Sequence, residues 1–478
     1  MSRKRQIYLL DPQKLPPETI AVAFAKTSRS PQSFREIAAE LSDSSSADFH
    51  EKWVVGFGHS SVAEHAVLHV AVENVSRLAV ECLESNRLAS YTEKSTRYQQ
   101  WGADDFYRPL ELENHLLRGM YEDTCRQLFD TYTRCLEPVQ HVVAEENPRR
   151  DGENQAAWER RVRPPVVDAC RFLLPASALA NVGMTINARA LEHAIRKMLS
   201  HPLLEVRQMG AEIKSAAMES TPTLVKYADA VPYLETVRNN LAATTPGKPT
   251  MPGGETPWCR LVSWDVNAEL HILAAALYHY GQEDYTHILG QLMNAPAGEK
   301  SRLAHTILGA LDEHDIPIRE LEYASFTFDI LLDQGAYAEL KRHRMMTQTP
   351  QELTPLLGYA IPRLISTAGM EETYRRAMTA AYEAYLQLKD FNPAVASYVV
   401  PNGCNRRVLL SANLRSLMHF INLRSAPNAH FSIRRIAHRM AELVRQALPL
   451  FGGYINSESD ETWQDVERKH FLTTLSGL

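Results

Sequence analysis

Polar and apolar positions alternate with a period of two in Ser325-Phe-Thr-Phe-Asp-Ile330, as a strand with one buried face requires. Val67-Leu-His-Val-Ala-Val72 is read as the matching strand of the first half. A helical pattern follows each: Asp333 stands as the N-cap of a helix predicted to reach His343, and another covers Ser76 to about Asn86. Longer helical periodicities span residues 115–142, 187–199, 372–389, 413–422 and 429–447. The order in each half is helix, strand, helix, loop and several helices. This predicts an α+β fold, a small sheet covered by helices. Residues 145–154 are charged and turn-rich and are read as a solvated loop.

The chain repeats itself. Glu18 to Phe34 has a counterpart in Glu269 to Tyr285, two alanine-rich amphipathic segments with the same start and length. Asn187-Ala-Arg-Ala-Leu-Glu-His-Ala-Ile195 pairs with Asn413-Leu-Arg-Ser-Leu-Met-His-Phe-Ile421, matching Asn, Arg, Leu, His and Ile at one constant offset. Residues 243–257, rich in Pro, Gly and Thr, cannot hold a helix or a central strand. Two related domains are therefore expected, 1–242 and 258–478, joined by that linker.

Composition narrows the class. With 478 residues, 45% hydrophobic and 23% charged, the chain is globular and long enough for more than one domain, which excludes disordered, collagen-like and disulfide-scaffold classes. Lys and Arg number 51 against 57 Asp and Glu, a net charge of −6, so nothing points to nucleic acid or an anionic membrane as partner. Any bound anion must meet a local basic cluster. The 6 cysteines form no CxxC pair and no zinc spacing and read as reduced thiols. The apolar stretch at the start ends at Leu10, before Asp11-Pro12, and is not expected to act as a signal peptide, and no long apolar run suited to spanning a membrane is present. A cytoplasmic location is expected.

Three segments concentrate chemistry. Arg342, His343 and Arg344 gather charge at a predicted helix end, which suits a phosphate or carboxylate but also simply complements the helix dipole. Glu93-Lys-Ser95-Thr96-Arg97 sets hydroxyls and a guanidinium on one loop, a phosphate cradle or a solvated turn. Arg415, His419 and Asn422 share one polar helix face, for a ligand or for solvent. His65 and His69 have the four-residue spacing of a helical metal pair, yet their segment reads as strand, so no metal is expected.

The order of these segments resembles the flavin-dependent thymidylate synthases. The matching residues are Gly58-His59-Ser60-Ser61-Val-Ala-Glu64-His65, then Arg342-His343-Arg344, then Ser95-Thr96-Arg97-Tyr98, separated from Arg87 by seven residues, and Asn413-Leu-Arg415 with Arg424 nine residues on. The resemblance spans most of both halves, and it implies sites assembled between subunits. The first half keeps Glu93, Ser95, Thr96, Arg97, Tyr98 and Arg171, but reads Ser85-Asn86-Arg87 for Arg-His-Arg and Met198 for the late Arg. The second keeps Arg342, His343, Arg344, Asn413, Arg415 and Arg424, but its phosphate loop, 352–359, has no Arg, and Ser397 replaces Arg171. The losses are complementary, so one composite site per chain is expected.

The resemblance also implies roles. Glu93, Ser95, Thr96, Arg97, Arg171 and Arg342 would hold a pyrimidine nucleotide, with Glu339 beside its base where the family has Gln. Arg424 would stabilise charge on the uracil as C5 is methylated. Ser61, Glu64, Arg342, His343, Arg344, Asn413, Arg415 and His419 would hold FAD. Methylenetetrahydrofolate and NADPH would be co-substrates, and a homodimer would present the family's four domains. The carboxylate of Glu339 leaves open another pyrimidine as substrate, and a non-catalytic flavin- or nucleotide-binding paralogue is the reading from a different class.

Overall fold

In the computed structural model, residues 6, 8, 10–12, 14–27, 30–41, 46, 49, 60–95, 101–244, 257–312, 314–457 and 460–477 are described. Gly58, His59, Thr96, Arg97, Tyr98 and nearly all of the expected linker lie outside them. The fold is α+β. In chain order the first repeat contributes helices α1 (Pro17–Thr27) and α2 (Phe34–Glu40), strand β1 (Val67–Ser76), α3 (Arg77–Glu84), β2 (Ala89–Glu93), α4 (Arg118–Glu146), α5 (Gln155–Cys170), β3 (Leu179–Asn187), α6 (Ala188–Leu199) and α7 (Leu204–Met218). The second contributes β4 (Cys259–Trp264), α8 (Ala268–Tyr280), α9 (Tyr285–Asn294), β5 (Ser325–Asp333), α10 (Gln334–Leu340), β6 (Thr347–Pro350), β7 (Tyr359–Pro362), α11 (Glu371–Phe391), β8 (Asn405–Asn413), α12 (Leu414–Ser425), α13 (Phe431–Ala447), α14 (Trp463–His470) and β9 (Phe471–Ser476). Among the described residues, no helix is long and apolar enough to cross a membrane.

The sheets share one plan. Among the described residues, the first has strand order β1-β3-β2 and the second β4-β5-β8-β6, with β4 at one edge, and β7 pairs with β9 apart from them. Register matches too: Val67 faces Asn187 in one sheet and Ser325 faces Asn413 in the other, both antiparallel. The inward residues of β5, Phe326, Phe328 and Ile330, are fully buried against Leu417, Phe420 and Ile436 of the helical layer. The central strands β3 and β8 go beyond the sequence reading, which placed one strand in each half. Their formation explains where the donors and acceptors of β1 and β5 are satisfied.

Local chemistry fixes the strand-to-helix junctions. Ser76 caps α3 by accepting from the Ala79 N–H, and Asp333 caps α10 by accepting from the Ala336 N–H at 2.8 Å. Each cap is tied to a helix of its own repeat, with donor and acceptor exchanged. Ser76 Oγ donates to Glu205 on α7 at 2.6 Å, whereas Ser432 on α13 donates its hydroxyl to Asp333. A second pair of equivalents is Glu18 and Glu269. Glu18 accepts from the backbone N–H groups of Thr223 and Leu224, and Glu269 from those of Leu450 and Phe451. The helix expected to reach His343 ends at Leu340, with Lys341 as its C-cap.

The chain forms two compact units that do not follow the boundary near residue 242. One holds Met1–Ser95, Asp105–Arg118 and Ser177–Gly247. The other holds Thr96–Asp104, Gly119–Ala176 and Lys248–Leu478, so the long helices of the first repeat are packed with the second. Within this larger unit Phe172 stacks on Phe431 with ring centroids 5.8 Å apart. Beside it, counterpart segments pair with each other: Pro175 bridges Pro401 antiparallel, the Ala176 N–H donates to the Val400 carbonyl, and the Asn402 N–H donates to the Leu174 carbonyl, both at 2.9 Å. The charged segment expected as a loop is helical up to Glu146 and an exposed turn from there to Asn154.

Candidate active site

Beyond Leu340 the chain turns through Arg342, His343 and Arg344 into β6. Gln348 of β6 holds this turn, its side-chain nitrogen donating to the carbonyls of Leu340 and His343 at 3.2 Å each, while its side-chain oxygen is buried with no hydrogen-bond partner among the described residues. Arg424, in the last turn of α12, reaches the same place. Its Nε donates to His343 Nε2 and its Nη1 to Glu339 Oε2, both at 2.9 Å, and Arg342 Nη1 stands 3.8 Å from the same carboxylate. The ring of His343 meets Phe420 edge-on at 4.9 Å and lies 5.9 Å from the exposed His419.

These contacts decide protonation. Because Nε2 of His343 accepts, its proton must sit on Nδ1 and the ring is neutral. Burial, reinforced by the Arg424 charge, presses the His343 pKa down to about 3. Burial also lowers the pKa of Arg424, opposed by Glu339. The acid found where the resemblance expects Gln is therefore matched by guanidiniums.

Several other expected ligands are engaged within their own repeat. Asn413 caps α12, accepting from the Ser416 N–H at 2.8 Å, just as Asn187 caps α6. Arg415 donates to the Pro317 carbonyl at 2.9 Å and to Glu322 at 2.8 Å, and its counterpart Arg189 pairs with Glu64. Ser61 is exposed on the turn Ser60–His65, and His69 contacts Thr185 at 2.9 Å from β1. Glu93 pairs with Arg77 at 2.8 Å, both side chains largely shielded, and Ser95 is half-buried.

The expected phosphate ligands are not all gathered together. Arg171 is 4% exposed, lies 3.7 Å from Asp168, and gives its carbonyl to Asn402. Its charge acts on Asp333, whose carboxyl is pushed up by burial and pulled back by Ser432, Ala336 and Arg171. Arg171 is thus near the N-terminal end of α10. Arg342 and Arg344 follow the C-terminal end, about 10 Å further along a helix of this length. Thr96 and Arg97 are outside the described residues.

Sequence reasoning overlooked Gln348 and Lys197. Lys197 Nζ donates to Ser85 Oγ at 2.6 Å and to Asn86 Oδ1 at 2.7 Å, and burial lowers its pKa. The first repeat thus keeps a cation against the degenerate turn, supplied one residue before Met198. An alignment of the repeats that compares neighbours of each position would have found it.

The family model described as thymidylate synthase complementing protein matches residues 9–223 and again 260–450. A UPF0159 protein of Chlamydia muridarum is 33% identical over 443 residues, which span 88% of this chain and 83% of that protein. A flavin-dependent thymidylate synthase of Clostridium tetani is 26% identical over 217 residues, 44% of this chain and 82% of the relative. Among solved structures, the UMP/dUMP methylase PolB from Streptomyces cacaoi, bound with 5-Br dUMP, is 19% identical with a TM-score of 0.33, covering 41% of this chain and 93% of that one. The same family is matched twice along one sequence whose two sheets repeat strand order and register, and so the chain belongs to the thymidylate synthase complementing protein family, as a tandem duplicate.

Proposed function

We propose that the chain is a flavin-dependent enzyme that reductively methylates C5 of dUMP, with methylenetetrahydrofolate as carbon donor and NADPH as reductant, at one working site per chain in a homodimer. Family membership supports the reaction class. The observation that carries the reading is the shielded Arg424, oriented by Glu339 and His343. A rigid guanidinium poised in a low-dielectric site stabilises negative charge as it develops on a pyrimidine ring.

The residues fit FAD. Around the turn, Arg342 and Arg424 face the carboxylate of Glu339, Arg424 also meets a neutral His343, and Arg344 follows in the same turn, a donor set that suits a diphosphate. Arg342, His343, Arg344, Asn413, Arg415 and His419 would hold the cofactor, with Ser61 and Glu64 contributing. FAD supplies hydride chemistry when bound. The chain's own residues do the rest: Ser95, Thr96, Arg97 and Arg171 would bind the nucleotide phosphate, with Arg342 reaching it and Glu93 beside it on the same loop, and Arg424 would bind and polarise the base. Glu339, already accepting from Arg424, orients that fork and carries no uncompensated charge towards a uracil. This favours a uracil substrate over a cytosine one.

Complementation of a thymidine auxotroph tests the reading. Growth rescued by the parent and abolished by Arg424→Ala and by Arg97→Ala is expected. A yellow protein that never rescues would assign the chain to non-catalytic flavin binding, and a colourless one that never rescues would overturn the flavin reading itself.

A further inference from the structure

A cleft of about 710 Å³ opens in the second repeat, lined by Ala275, Tyr278, His279, Tyr285, Glu320 and Tyr323. It lies between α8, α9 and the turn Arg319–Tyr323. The first repeat shows what normally fills this place. Glu18 and Glu269 perform the same capping role, so Phe24 corresponds to Ala275. Ser33 and Asp284 cap the next helices, so Phe34 corresponds to Tyr285. Glu64 and Glu322 pair with equivalent arginines, so His65 corresponds to Tyr323. In the first repeat Phe24 packs 5.3 Å from Phe34 and 4.9 Å from His65. In the second the central ring is reduced to a methyl group, and the flanking rings border open space.

The chemistry of that space is one-sided. His271 Nε2 lies 3.1 Å from Asp265 and its Nδ1 lies 2.5 Å from the Tyr285 hydroxyl. With the Asp265 carboxylate accepting from the Nε2–H, Nδ1 accepts and the Tyr285 hydroxyl donates to it. Burial, with Tyr323 and Asp265 nearby, raises the Tyr285 pKa, so the phenol stays neutral. His279 Nδ1 is likewise turned onto Glu320, at 2.5 Å. The cleft is lined by Tyr278, Tyr285 and Tyr323, by His279 and by the carboxylate of Glu320, which His279 contacts and which His279 and the nearby Arg319 charge hold ionised. Among the described residues that line it there is no lysine or arginine.

We infer that this cleft binds an organic ammonium cation, seated among Tyr278, Tyr285 and Tyr323 and neutralised by Glu320. Aromatic faces and a carboxylate attract such a group, and the volume is that of a small-molecule site. The inference stands on the second repeat alone and is independent of the methylation reading. Calorimetric titration of the full chain with choline and with its uncharged isostere, 3,3-dimethylbutan-1-ol, tests it. Choline is expected to bind at least about tenfold more tightly. Ala275→Phe, which restores the filling ring, and Tyr323→Leu, at a position 66% exposed and so harmless to folding, should each weaken choline by at least about tenfold. Equal binding of the two probes, no saturable choline binding up to roughly 10 mM, or full affinity in both variants would overturn it.

Discussion

Arg424 donates its Nε to Nε2 of His343 at 2.9 Å, and this one bond orients both side chains. It leaves the histidine neutral and frees the opposite edge of the guanidinium to meet Glu339. The geometry needs Arg rather than Lys, because two donors fixed in a plane serve two acceptors at once.

Removing that fork should therefore cost stability as well as activity. Arg424→Ala leaves the carboxylate of Glu339 shielded and poorly paired, and a loss of about 1–3 kcal/mol is expected in urea denaturation. Adding Glu339→Gln in the same chain should recover part of that loss, while auxotroph rescue stays abolished. An unchanged urea midpoint in Arg424→Ala would contradict the pairing.

Acid should unfold the protein through its buried histidines. Burial together with neighbouring cations holds His343 and His470 at about 3, and His201 and His438 at about 4. Below about pH 6.5 the unfolded chain takes up protons that these folded rings refuse, so stability falls as the pH is lowered from there towards 4. Each such ring contributes a slope of up to about 1.4 kcal/mol per pH unit. Urea midpoints measured between pH 7 and 5 should decline, and His343→Gln should decline less steeply than the parent.

The exchanged cap contacts predict a rescue. Asp333→Ser removes the acceptor of Ser432, and Ser432→Glu alone places two carboxylates together, so each should destabilise. Combined, they rebuild the Ser76–Glu205 arrangement of the first repeat. A double-mutant cycle should show a favourable coupling of about 0.5–3 kcal/mol. Strict additivity would show that the two junctions are not equivalent.

A cut at the linker should fail to give two folded halves. Residues 258–478 alone lack the segment Gly119–Ala176 that belongs to their compact unit. The loss strips the seam at Pro401 and the ring stacked on Phe431. This fragment is expected to show no cooperative thermal transition by circular dichroism, whereas the intact chain does.

Much of the fold was legible because it is written locally. The cap at Asp333, the alternation in Ser325–Ile330 and the Asn187/Asn413 repeat all reappear as read. The central strand β8 was missed because Arg406 and Arg407 make its start look like a solvated loop. In the fold Arg406 lies over the Tyr337 ring at 4.6 Å and donates to Gln334, and Arg407 pairs with Asp329, partners that only the tertiary structure supplies. β3 carried a readable alternation, but Gly183 and Asn181 weaken strand propensity there. At the site, the charge of Arg342–Arg344 was read as the end of a helix, which in fact stops at Leu340, and the contacts of Arg424 with His343 and Glu339 were not foreseen. Nor were the pairing of Arg415 with Glu322 and the separation of Arg171 from Arg342, since both depend on which helix end each side chain occupies.

The bridge between Pro175 and Pro401 joins a segment to its own duplicate. In a symmetric homodimer one codon would set both faces of such a seam, and every replacement there would strike twice. Fusion into a single gene breaks that constraint. Each face can drift alone, which is how Arg171 stands on one side while Ser397 occupies the matching place on the other.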